Sequence, residues 1–168
     1  MIKLLFSKAT ALPRILFYKI MQRLAYLMLE HLNRTPYIYG EKDMVHFGSN
    51  VSPVNTFFNT GSGHIYIGDN TIFGHNCMVI TGRHEYADGQ RKDLLTKVRS
   101  SDIPPSGYDI YIGSGCWIAS GSIISGGVRI GDNTIIGAGA VVVCDIPSGV
   151  MAAGVPARVI KDLRNKLS

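Results

Sequence analysis

At 168 residues, with 46% apolar and 17% charged positions, the chain is long enough for one domain plus an appendage and too apolar to be disordered. Its formal charge of +5 is uneven, since residues 1–29 hold Lys3, Lys8, Arg14, Lys19 and Arg23 and no acid, yet basic and aromatic residues interleave on no one strand, which argues against nucleic acid as a partner. Cys77, Cys116 and Cys144 are odd in number and lack metal-ligand spacing, so they read as reduced residues of a cytosolic protein, two of them at inward positions.

The chain opens without a visible secretory signal, because the apolar run after Lys3 is only Leu4, Leu5 and Phe6, and no uncharged stretch reaches membrane-spanning length. From Pro13 onward Phe17, Met21, Leu24, Met28 and Leu32 follow a three-four spacing, which predicts one or two amphipathic helices within residues 1–36. Such a segment can cap the open end of a solenoid. Its basic flanks also suit peripheral contact with the inner, anionic face of a membrane.

A less regular lead-in, Phe47 to Tyr66, gives way to a six-residue repeat that starts at Ile67, Phe73 and Val79. After a break the repeat resumes without a slip at Ile112, Ile118, Ile124, Ile130, Ile136 and Val142. Each hexad opens on an aliphatic residue and has a small one fifth, as in Thr71, Cys116, Ser122, Val128, Thr134 and Ala140, with Gly, Asp and Asn between. Gly and Asn tolerate the positive φ of tight corners, and β-branched residues suit short strands. Three strands and three corners make a triangular turn of about eighteen residues, so Ile112 is expected to stack on Ile130, Ile118 on Ile136 and Ile124 on Val142. The expected architecture is an all-β solenoid over residues 37–160, about five coils of parallel β-helix, with a short helical tail over 161–168.

Between residues 81 and 110 the repeat is interrupted by a loop containing His84, Glu85, Tyr86, Arg91, Lys92 and the Pro104-Pro105 pair. A loop this long in a compact domain is usually functional. His46 and His64 lie one coil apart, and His75 falls at a corner.

From about residue 45 to 161 the sequence resembles the hexapeptide-repeat acyltransferases with a left-handed parallel β-helix, especially the galactoside, maltose and polysaccharide O-acetyltransferases. The resemblance is strongest in Ile130-Gly131-Asp132-Asn133-Thr134-Ile135-Ile136-Gly137-Ala138-Gly139-Ala140, then Asp145-Ile146-Pro147 and Ala153-Gly154-Val155-Pro156-Ala157-Arg158. It implies a homotrimer that uses acetyl-CoA as co-substrate and no metal, and acetylates a hydroxyl of a sugar or surface-polysaccharide precursor. The family's catalytic histidine falls on His84, in Thr81-Gly82-Arg83-His84. A neutral imidazole, with an ordinary pKa of about 6.5, is suited to take the proton from an acceptor hydroxyl.

The same resemblance assigns Trp117, Ser120, Ala138 and Gly139 to the pantetheine channel, Arg158 and Lys161 to the nucleotide phosphates, and Asn55, Ser62 and Glu85 to the acceptor side. Family members often carry a Thr-Lys pair where this chain has Val143-Cys144, so a donor-site cation is missing, and either Arg158, Lys161 and Arg164 compensate or donor affinity is lower. Other readings are acetyl transfer to an antibiotic, serine or an amino sugar, a non-catalytic β-helix assembly protein, and a zinc hydratase like the hexapeptide-repeat carbonic anhydrases. The last lacks the paired ligands those enzymes carry on one strand.

Overall fold

The computed structural model describes residues 14–164, so the expected helix before Arg14, with Lys3 and Lys8, and the tail over 165–168 lie outside the described residues. The chain divides into two units, Met1–Arg34 and Thr35–Ser168. In the first, helix α1 (Arg14–Arg34) contains no Gly or Pro and stops just before Pro36, whose ring disfavours helical geometry in the residue before it. At 100° per residue Leu16, Phe17, Ile20, Met21, Leu24, Leu27 and Met28 share one half of the helix, and Lys19, Gln22, Arg23 and Tyr26 the other. Side chains on both halves are exposed.

The second unit is a triangular solenoid whose three faces are ladders of short strands. Face A holds β1 (Tyr37–Tyr39), β3 (Phe57–Asn59), β6 (Met78–Ile80), β11 (Ile123–Ser125) and β14 (Val141–Val142), in that order and all parallel. Face B holds β2 (Val45–Phe47), β4 (Ile65–Ile67), β9 (Ile110–Ile112) and β12 (Arg129–Ile130). Face C holds β5 (Ile72–Phe73), β10 (Trp117–Ile118), β13 (Ile135–Ile136), β15 (Val150–Ala153) and β16 (Arg158–Asp162). The chain runs B to C to A in each coil.

The expected stacking is found in the register: Ile112 pairs with Ile130, Ile118 with Ile136 and Ile124 with Val142. Upstream, Ile67 lies on Ile112, Phe73 on Ile118 and Val79 on Ile124. All of these point inward and are buried, each such side chain contributing about 1.5–3 kcal/mol over exposure. The small fifth residues fill the corners, where Thr71, Ser122 and Thr134 donate to corner carbonyls of Gly113 (2.8 Å), Gly137 (3.1 Å) and Pro147 (2.9 Å). Carbonyls that would otherwise be buried without a partner are satisfied in this way. Gly113 is required by close approach: a Cβ there would sit 2.6 Å from the backbone N of Asp132 in the next coil.

The interruption does not disturb the ladder. His64 and Asp109 are 45 residues apart in sequence, yet the His64 N–H donates to Asp109 Oδ1 at 2.8 Å. Between them the loop builds a hairpin, β7 (Tyr86–Ala87) and β8 (Gln90–Arg91), turned by Asp88 (φ 48°) and Gly89 (φ 74°), followed by helix α2 (Lys92–Thr96). Positive φ at both central residues is the geometry that joins two antiparallel strands tightly.

One expectation fails at the end of the solenoid. Lys161 and Asp162 do not begin a helix. They finish β16, which turns back and pairs antiparallel with β15, Lys161 opposite Met151. The last strand of face C would otherwise expose a row of backbone donors and acceptors, and β16 covers that edge.

Candidate active site

The chain leaves the solenoid at the corner between faces A and B. Thr81 is buried, with its hydroxyl donating to Asn59 O at 2.9 Å, and Gly82 lies so close to Asn59 that a Cβ would meet Asn59 Oδ1 at 2.8 Å. The Arg83 N–H donates to Ser62 Oγ at 3.2 Å. These contacts fix the first step of the loop and turn His84 outward.

His84 Nδ1 lies 2.5 Å from Asp102 Oδ2; the imidazole side chain is 53% exposed and the carboxylate side chain 1%. Asp102 returns from the far end of the loop, and its carbonyl accepts the Glu85 N–H at 2.6 Å, so backbone as well as side chains close the loop on itself. Burial pushes the Asp102 carboxyl up, but the hydrogen bond from His84, a backbone N–H and the nearby positive charge of Arg91 together hold it below the usual carboxylate value. An ionised carboxylate can only accept. Nδ1 is therefore the protonated nitrogen of the neutral ring, and Nε2 carries the lone pair. Arg91 Nε is 4.0 Å from the same oxygen, while its Nη2 meets Asp93 at 3.2 Å.

Of the residues assigned to the acceptor side, Glu85 is tied into the loop by an ion pair with Lys92 Nζ at 2.9 Å. Ser62 is a correction. It is fully buried and its hydroxyl accepts the Arg83 N–H, so it lies behind the site wall and sets the loop rather than meeting a ligand. Asn55 (φ 43°) sits at the other end of face A, where its side chain donates to Asn76 Oδ1 at 2.8 Å.

That other corner, between faces C and A, holds the donor-side residues. Ser120, Ala138 and Gly139 (φ 66°) are exposed there, and Ser120 Oγ accepts the His75 N–H at 3.1 Å. Trp117 projects from face C, 49% exposed, between Ile72 and Ile135. Arg158 reaches the departure from the family pattern: its Nη1 lies 4.0 Å from Cys144 Sγ and donates to Ala157 O at 2.8 Å. A cation thus stands beside the position where the lysine is missing. Arg164 is engaged by Asp162 at 2.6 Å, whereas Lys161 is exposed on β16.

The structure therefore gathers the candidates at two corners. Five to six residues of face A separate the Ser120 corner from the loop corner, about 17–20 Å at 3.3 Å per strand residue. Asp102 is the residue that sequence reasoning missed. No repeat runs through the loop, so no spacing connects it with His84. Among the described residues no group of three His, Cys, Asp or Glu gathers as a metal site.

Residues 109–144 match the family model described as bacterial transferase hexapeptide (six repeats). The chain is 36% identical over 103 residues to the galactoside O-acetyltransferase of Escherichia coli K12, covering 61% of this chain and 46% of that protein. It is 31% identical over 100 residues to the putative colanic acid biosynthesis acetyltransferase WcaF of the same organism, covering 60% and 48%. Among solved structures, a galactoside acetyltransferase in complex with coenzyme A superposes with a TM-score of 0.64 at 34% identity, over 77% of this chain and 60% of that one. The chain spans about half the length of the curated relatives it matches. Repeat, fold and relatives agree: residues 109–144 carry the bacterial transferase hexapeptide repeat, and the chain is similar to acetyltransferases built on it.

Proposed function

We propose that the protein is an acetyl-CoA-dependent O-acetyltransferase acting on a hydroxyl of a sugar or surface-polysaccharide precursor, with His84 as general base. The observation that carries this reading is the dyad: a buried, ionised Asp102 fixes one ring nitrogen and turns the basic one toward solvent. Nε2 takes the acceptor's hydroxyl proton while the oxygen attacks the thioester carbon. The resulting oxyanion is met by the Ser120 hydroxyl, which accepts from His75 and keeps its own proton to donate. The C–S bond then breaks and His84 returns the proton to the departing thiolate. Trp117, Ala138 and Gly139 line the pantetheine, and Arg158 and Lys161 serve the phosphates. Galactoside and colanic acid acetyltransferases among the relatives support the acceptor class.

Donor and base stand on opposite corners of one chain, so the site is completed by apposing the donor corner of one copy to the His84 corner of the next. The outward side chains of face A, among them Tyr37, Phe57, Met78, Ile123 and Val141, are apolar and suit burial between copies in a homotrimer of left-handed helices. The apolar half of α1, with Lys19 and Arg23 opposite, is taken as a peripheral contact with anionic lipid. No helix among the described residues is long and apolar enough to cross a membrane.

Calorimetric titration of the purified protein with acetyl-CoA tests the reading without a choice of acceptor. Saturable binding near one site per chain is expected. An absence of binding up to millimolar donor overturns it.

A further inference from the structure

Face B differs from the other two in what it turns outward. At equivalent positions face A presents Tyr37, Phe57, Met78, Ile123 and Val141 and face C presents Ile72, Trp117, Ile135 and Met151, whereas face B presents His46, Tyr66, Tyr111 and Arg129, each carrying a nitrogen or hydroxyl group. These planes form one continuous stack. His46 lies on Tyr66 with ring centroids 4.5 Å apart and 11° between planes, Tyr66 lies on Tyr111 at 4.9 Å and 8°, and the Arg129 guanidinium covers Tyr111 at 3.8 Å from the ring centroid. Aliphatic outward rungs, such as Ile123 on Val141 of face A, stack in the same solenoid, so this ladder is not a requirement of the fold.

A groove of about 790 Å³ runs along the ladder, within the size range of small-ligand sites. A smaller hollow of about 280 Å³ adjoins it at the corner between faces A and B and shares Tyr111, Arg129 and Asp145 with it. There Arg129 is flanked by two carboxylates: Asp145 Oδ1 accepts the Arg129 N–H at 2.7 Å, and Asp109 Oδ2 accepts from the Tyr111 hydroxyl at 3.4 Å. The hollow lies at the foot of the catalytic loop. Tyr108, next to Asp109, carries the Arg83 guanidinium over its ring at 5.0 Å, and Arg83 precedes His84.

The ring faces are spent on each other, so the groove presents edges: phenolic hydroxyls, imidazole nitrogens, a guanidinium fork and carboxylates. Asp109 and Asp145 line the same hollow as Arg129, so it offers no uniformly positive surface to a phosphate or other compact anion. Alternating donors and acceptors in a mixed-charge cleft suit a chain of neutral hydroxyl groups. We propose that the face B groove is a subsite for the sugar units of an oligosaccharide acceptor beyond the unit offered to His84. This rests on the acetyl-transfer reading and names its acceptor as a chain rather than a single sugar.

The test compares one-unit and four-unit sugars, namely glucose with maltotetraose and with cellotetraose, and galactose with β-1,4-galactotetraose. Binding to the full-length protein is measured by ligand-observed NMR. At least one four-unit sugar is expected to bind tenfold or more tightly than its monomer. Arg129→Gln, at an exposed position, and Tyr111→Phe, which keeps the stacked ring, should each lower that ratio at least threefold while acetyl-CoA affinity holds. Equal binding of one and four units throughout, no binding by any, or an unchanged ratio in both variants overturns the subsite. The donor titration reads separately: no acetyl-CoA binding with the length dependence intact removes acetyl transfer and leaves the groove.

Discussion

His84 and Asp102 form a hydrogen-bonded unit, and in the proposed reaction one residue touches substrate while the other acts through it. Replacing His84 by Ala is expected to leave folding intact and to lower turnover by about 10²- to 10⁴-fold, the usual scale for a lost acid-base group; steady-state kinetics on protein with an unchanged circular dichroism spectrum checks this. Asp102 makes a different prediction, because its carboxyl is held below the ordinary value in the folded protein. Its contribution to stability is fully present above the unfolded carboxylate value of about 4 and is lost as pH falls through the lower folded value. Urea midpoints of the wild type and Asp102→Asn should therefore differ most above the unfolded carboxylate value and draw together as pH falls beneath it. A gap that stays constant with pH sinks this account. The position of His84 was legible because the hexad phase fixes the corner from which the loop leaves. Asp102 was not, because the loop has no period. Ser62 was misassigned because aligned position says nothing of whether a hydroxyl turns inward, and here the Arg83 N–H draws it in.

At the scale of elements, strands were easier to read than helices. Every inward residue from Ile112 to Val142 follows from the spacing, since a fixed period leaves the chain one way to stack. The lead-in was harder: its coils return at longer intervals, Ile38 on Phe58, Val45 on Ile65 and Phe58 on Val79, so the outward ladder of His46, Tyr66 and Tyr111 had no register to be read from. A helical tail was expected from Lys161, but the open edge of β15 recruits Lys161 and Asp162 into a strand, a tertiary effect that no local pattern carries. Helix α1 carries its own prediction. If its apolar half meets lipid beside Lys19 and Arg23, the protein should pellet with vesicles containing anionic lipid and stay in solution with zwitterionic ones. Leu24→Glu should abolish pelleting, and raised salt should weaken it. Equal pelleting with both vesicle types, or with neither, removes the lipid role.

For the whole molecule, the division of the site between two corners predicts complementation. A His84→Ala chain lacks the base, and a Ser120→Tyr chain has a filled donor corner, so each alone should be inactive. In the proposed homotrimer a site draws one corner from each of two chains, so trimers refolded from an equal mixture should regain activity in about a quarter of their sites. No recovery in mixed trimers, shown to be mixed by mass spectrometry, would mean that one chain holds the complete site. The loop that carries the dyad has a further consequence. Face B pairs His64 with Asp109 across 45 residues as closely as its uninterrupted coils pair, so the solenoid holds the two ends of the insertion together whatever lies between them. Doubling the length of such a segment adds only about 0.6 kcal/mol of closure entropy. The corner is therefore a socket: natural variation, or a designer, can exchange one insertion for another and obtain a new acceptor preference without redesigning the scaffold that grips it.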